Sequence, residues 1–123
     1  METVSIRIPA SPEYLHVVRL VTSGLAARVG FTLDDIEDLK IGVDELAAYL
    51  TGPQGRDGAL EIRFSVGDDH IEIHGAARVG TPQAMRTDLT EMSRMILETV
   101  ADSAVLTEDD LGPCFRLVKR RGA

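Results

Sequence analysis

Aromatic residues are scarce in this chain. Phe, Tyr and Trp together make up 4% of its 123 residues, and tryptophan is absent. A core of that composition has to be built from Leu, Val, Ile and Ala. Cys114 is the single cysteine, so no intrachain disulfide can form and a reducing, cytoplasmic setting is expected. No apolar run approaches the ~18 residues that a membrane span needs. Met1-Glu2-Thr3 offers neither the basic start nor the apolar stretch of a signal peptide. Basic residues are also in deficit, 13 against 20 acidic ones, for a net charge of -7. That excludes the basic footprint of a nucleic-acid-binding domain and suits a protein whose partners carry basic patches. Lys119-Arg120-Arg121 is too short to reverse the balance and reads as a solvated tail.

What is present describes a globular chain. Hydrophobic residues reach 44% and charged ones 27%, and the length suits one domain over residues 1–123. Val4, Ile6 and Ile8 alternate with Ser5 and Arg7, the period of a strand with one buried face. Ser11, Pro12 and Glu13 then open a helix in favourable order, followed by Leu15, Val18, Val21, Leu25 and Val29, and Gly30 stops it. Thr32 with Asp35 three residues on starts a second helix, whose stripe is Ile36, Leu39, Val43, Leu46 and Leu50. Residues 51–58 are turn chemistry throughout. Leu60 to Val66 and Ile71 to Ile73 alternate as strands, and Gly67-Asp68-Asp69 between them predicts a hairpin.

Residues 75–83 read as a loop. Leu89, Met92, Ile96 and Val100 predict a third helix, residues 107–113 a loop, and 114–120 a closing strand. The order is β-α-α-β-β-α-β. Half-wet strands call for helices on the other face, so the expected class is α/β (α+β): a two-layer sandwich with a mixed, mostly antiparallel sheet.

Few side chains suggest chemistry directly. His70 and His74 share a strand face, but four residues at ~3.3 Å each separate them by roughly 13 Å, so they cannot share an ion. His16 stands alone on a helix, and no metal site is expected. Cys114 has no convincing local base and reads as a small buried hydrophobe. The glycines at 52, 55 and 58 match no phosphate-binding fingerprint.

Residues 4–45, "VSIRIPASPEYLHVVRLVTSGLAARVGFTLDDIEDLKIGVDE", resemble the opening of the bacterial anti-sigma factor serine kinases of the GHKL ATPase superfamily. "ILETVADSAVL" and "LGPCFRLVK" resemble, more weakly, that family's last helix and strand. The resemblance implies the GHKL fold, with helices on one face of a sheet. It also implies binding to a sigma factor, to an anti-anti-sigma (STAS-type) protein, or to both, and in many members Mg-ATP-dependent phosphorylation of a serine on the latter.

The motifs for phosphorylation are eroded. Glu45 matches the glutamate of the family's Glu-x-x-x-Asn box, but Tyr49 stands where the magnesium-binding asparagine belongs, and a neutral phenol is a poor magnesium ligand. Ala77 is nearest the adenine-contacting aspartate of the next box, with Gly80 beside it. Gly112-Pro113-Cys114 replaces the family's Gly-Thr-Thr, and residues 81–95 lack the lid glycines. Glu45 therefore reads either as a vestigial catalytic group or as a plain helix carboxylate, and Tyr49 either fills the site or covers the core edge. Arg19 matches a family arginine that contacts both partners, with His16 one turn earlier; its alternative reading is a solubilising surface charge.

Three functions follow. The leading one is a regulator that works by binding, without efficient nucleotide binding or any cofactor. The second is an active protein serine kinase using Mg-ATP. The third is an ATPase-fold module for another regulatory protein. A homodimer is an assembly that the resemblance leaves open.

Overall fold

A computed structural model of the chain describes residues 1–79 and 88–122. Strand β1 runs Glu2–Pro9; a short 3-10 turn, Pro12–Tyr14, leads into helix α1, Leu15–Val29. Helix α2 is Leu33–Thr51, followed by β2, Gly58–Val66, and β3, His70–Val79. Helix α3 is Glu91–Val100, and β4, Ser103–Asp109, pairs with β5, Gly112–Arg120.

The five strands lie in the order β1-β2-β3-β5-β4, and every pairing is antiparallel, so the expectation of a mixed sheet is corrected. In register, Val4-Phe64-Ile73-Leu117 and Ile6-Ile62-Gly75-Phe115 form rows across the inner face. The helices pack there, α2 against β3 and β5 and α1 against β2, which closes one core around Leu39, Leu46, Leu50, Phe64 and Ile73. The opposite face of the sheet carries Ser5, Arg7, Arg63, His74 and Arg116, four of them exposed.

The helix ends follow their local chemistry. Thr32 Oγ1 accepts the Asp35 N–H at 3.1 Å, and Gly30 adopts a left-handed conformation (φ 90°) that a side chain would resist. Ser11 sits where a cap belongs, yet its hydroxyl caps nothing, and regular helix begins only at Leu15.

Other sequence expectations also fail. Residues 75–79 are not a loop but the second half of β3, hidden because Gly75, Ala76 and Ala77 carry no strand signal; 80–83 lie outside the described residues. Residues 107–113 hold a hairpin rather than a loop, and "ILETVADSAVL" is half helix and half strand, which adds a strand to the order. The inner stripe of α3 is Ser93, Leu97 and Val100, leaving Met92 72% exposed.

The basic tail, finally, is solvated only in part: Arg120 and Arg121 are exposed, but Lys119 is not. Lys119 is 12% exposed in its side chain, donates to the Val100 carbonyl at 3.0 Å, and lies 3.9 Å from both Asp35 and Asp38 on α2. Arg121 Nη1 donates to the Val29 carbonyl at 3.0 Å, at the negative end of α1. Lys119→Ala should therefore cost about 1–3 kcal/mol, the usual penalty for leaving such partners unpaired, read as a lower urea midpoint at unchanged slope.

Candidate functional site

The last turns of α2 present Glu45 and Tyr49 on one side, four residues apart, and α3 begins directly opposite. The two helices are joined by a chain of hydroxyls. The Thr90 backbone N–H donates to Tyr49 Oη at 3.0 Å, Tyr49 Oη donates to Ser93 Oγ at 2.7 Å, and Ser93 Oγ donates to Glu45 Oε2 at 2.7 Å. Thr90 is also the cap of α3: its hydroxyl accepts the Ser93 N–H at 3.0 Å and donates to Ser93 Oγ at 2.9 Å.

Ser93 is buried, 4% exposed, and its hydroxyl is fully used, accepting twice and donating once. Backbone N–H groups at a helix start attract anions such as phosphate. At α3 those of Thr90 and Ser93 are already taken by protein oxygens. Glu45 is accordingly neither a free surface carboxylate nor a group poised toward solvent; it accepts from a buried serine. Tyr49 is divided between two surroundings: the phenol oxygen lies in the polar gap between α2 and α3, and the ring packs on the core.

Ala77 and Gly112 come together on adjoining strands. Ala77 is wholly buried, and a Cβ placed on Gly112 would lie 3.1 Å from the Ala77 carbonyl oxygen. At neither position is there a side chain able to bind a base or a metal. Gly80 lies outside the described residues. Among the described residues no group of three His, Cys, Asp or Glu could hold a metal ion, and no helix is long and apolar enough to cross a membrane. His70 is engaged by Asp69 at 3.0 Å and His74 by Glu72 at 3.5 Å. Cys114 is half-buried on the open face of the sheet rather than in the core, and burial pushes its thiol up, away from the reactive thiolate.

Arg19 and His16 lie elsewhere, on the outer side of α1. They line a groove of about 480 Å³ between α1 and α2, together with Leu20, Lys40, Ile41 and Asp44. Leu20 and Ile41 are 68% and 46% exposed, a large apolar pair in open view. Arg19 is not a free charge: its Nη1 donates to Asp44 Oδ2 at 3.2 Å. The other carboxylate oxygen, Asp44 Oδ1, is buried without a hydrogen-bond partner. Burial raises the Asp44 pKa, and Arg19 opposes the rise only in part. A raised carboxyl pKa means the native state takes up the proton first, so whatever stability Asp44 influences declines as pH climbs through the carboxylate range.

Thr90, Ser93 and Asp44 were the residues sequence reasoning missed. The spacing of Thr90 and Ser93 carries a capping signal. The burial of Ser93 and the tie from Asp44 to Arg19, 25 residues apart, carry none.

No family model matches the chain. Among curated proteins, the serine-protein kinase RsbW of Bacillus pumilus (strain SAFR-032) is 38% identical over 86 residues, covering 66% of this chain and 53% of that protein. The protein of the same name from Bacillus velezensis is 42% identical over 76 residues, covering 59% of this chain and 48% of that protein. The one from Bacillus subtilis (strain 168) is 41% identical over 73 residues, covering 57% and 46% respectively. The chain thus spans about half the length of the curated relatives it matches. A crystal structure of RsbU and RsbW domains from Mycobacterium tuberculosis shares the fold, with a TM-score of 0.71 over the whole of this chain and 33% of that one, at 17% identity.

Proposed function

We propose that this chain, a homologue of the serine-protein kinases named RsbW, regulates by binding and has lost efficient use of ATP. The observation that carries the reading is the saturated chain Glu45–Ser93–Tyr49–Thr90. The resemblance puts the phosphate-handling glutamate and asparagine at positions 45 and 49. Here the first accepts from a buried serine and the second is a tyrosine that occupies the start of α3. Wholly buried Ala77 supplies no carboxylate for an adenine amino group.

The partners under this reading are a sigma factor, a STAS-type anti-anti-sigma protein, or both, and the working surface is the α1–α2 face with Arg19 and His16. What supports that placement is the exposed Leu20–Ile41 pair framed by charges of both signs, the make-up of a surface with an apolar centre and a polar rim.

Two measurements test the two halves. Millimolar Mg-ATP should leave the melting temperature unchanged, because only a ligand that binds the native state raises it; a saturable upward shift defeats the loss of nucleotide binding. Reversing Arg19 alone would set two carboxylates together beside the unpaired Asp44 oxygen, so a charge exchange is cleaner. Arg19→Asp combined with Asp44→Arg keeps an ion pair across the groove while moving the cation onto α2. It should fold as wild type and bind a purified sigma factor or STAS-type protein of the same organism at least 10-fold more weakly. Undiminished binding would show the surface to lie elsewhere.

A further inference from the structure

The open face of the sheet holds a hollow of about 520 Å³ that the binding reading does not use. Its volume lies within the roughly 300–1,000 Å³ of small-ligand sites. It exists because small residues meet there: Ser5 on β1, Ala76 on β3 and Cys114 on β5 leave the middle of the face low, while long side chains rise around it.

Its charges are unequally committed. Glu61 is engaged by Arg7 at 3.6 Å and by Arg78 at 3.0 Å, and Asp109 by Arg78 at 3.1 Å. Glu72, two residues before His74 on β3, is held by Arg116 at 2.8 Å and by His74 at 3.5 Å. Every carboxylate of the hollow is therefore neutralised by an arginine. Arg63 has no acidic partner among the described residues and is exposed. The lining has three arginines against two carboxylates, on a chain whose net charge is -7. This surplus cation stands in the middle of a cross-strand row: Ser5 opposes Arg63, and Arg63 opposes His74. Directly opposed residues have their Cβ atoms about 4.5–5.5 Å apart, so one small group can reach Arg63 together with its neighbour Ser5.

We infer that the hollow binds a small anion of the phosphomonoester class, with Arg63 as its principal donor and Ser5 completing the contact. The guanidinium fork matches two oxygens of a tetrahedral anion. The Ser5 hydroxyl approaches from the neighbouring strand, where a third oxygen would point. A flat carboxylate could use the fork but leaves no third oxygen for the Ser5 hydroxyl, so the geometry favours phosphate. This site lies on the face of the sheet opposite the helices and does not depend on the proposed binding activity.

The test uses inorganic phosphate, then glycerol 3-phosphate, against the whole chain in an amide NMR titration, with acetate at equal ionic strength as the comparison. Saturable shifts confined to residues 5 and 63 and their neighbours, with half-saturation at about 1 mM or below, are expected; that is roughly -4 kcal/mol of binding, well above non-specific association. Arg63→Gln should weaken the response at least 10-fold. Arg28→Gln, an exposed arginine on α1 paired with Glu2 at 3.6 Å, should leave it unchanged. The inference is overturned by non-saturating shifts, by an equal response to acetate, by full retention in Arg63→Gln, or by a second copy covering the face and blocking phosphate in solution.

Discussion

Tyr49→Ala should lower the unfolding free energy by about 2–4 kcal/mol, somewhat less than the loss of a fully buried aromatic. Two separable contributions make up the loss. The ring packs against the core between α2 and α3, and its removal leaves a void there. The hydroxyl accepts the Thr90 N–H and donates to Ser93, so Tyr49→Phe isolates that part at about 1–2 kcal/mol.

Glu45→Ala is not neutral in this structure. It removes the acceptor of a buried hydroxyl and should cost about 1 kcal/mol, with the loss smaller in a Ser93→Ala background, because the two residues then no longer share a bond. Urea denaturation of the single and double variants measures the coupling. Tyr49→Asn restores the asparagine that the resemblance implies. It should destabilise the chain without producing a saturable response to Mg-ATP, since Ala77 remains apolar and buried. Tight nucleotide binding from that one change would mean that the rest of the pocket is intact.

Gly75→Ala should be more damaging than its size suggests, about 3 kcal/mol, at the upper end of ordinary overpacking. Gly75 opposes Phe115 in the register of β3 and β5, and the Phe115 ring takes up the space a side chain on the glycine would need. A methyl group there falls on the edge of the ring, closer than real carbon atoms approach. Phe115 is 3% exposed, so the ring cannot move aside without disturbing the core around it. Phe115→Leu should recover most of the loss in the double variant while being mildly destabilising alone. An equal loss in both backgrounds would place the cost in the backbone instead.

The sequence was legible where one physical signal acted alone. β1, β2 and the first half of β3 show clean alternation, and α2 carries both a capping threonine and an apolar stripe that packs as read. It was illegible where two signals competed. The second half of β3 is Gly-Ala-Ala, which carries no strand propensity and is held in the sheet by pairing on both sides. The β4–β5 hairpin passes through Glu108-Asp109-Asp110, all exposed at a sheet edge, so its composition is that of a loop. α3 misled for a different reason: its inward position is a serine whose polarity is satisfied from α2, so the apolar pattern fell on Met92, which faces solvent.

The candidate site divides in the same way. The departures from the family boxes that the resemblance implies at Tyr49 and Ala77 could be read along the chain, whereas the capture of Arg19 by Asp44 and of Glu45 by Ser93 joins residues 25 and 48 apart, beyond any local pattern.

The placement of β5 has a consequence for the order of events during synthesis. This strand comes late in the chain but lies inside the sheet, between β3 and β4, and the residues at its end hold the first turn of α2 and the last carbonyl of α1. Until residue 121 has left the ribosome, β3 has an unpaired edge and Asp35 and Asp38 face each other without their lysine. At about 5–20 residues per second the nascent chain spends several seconds in that condition. The N-terminal half therefore waits for contacts of very long sequence separation before it can dock finally.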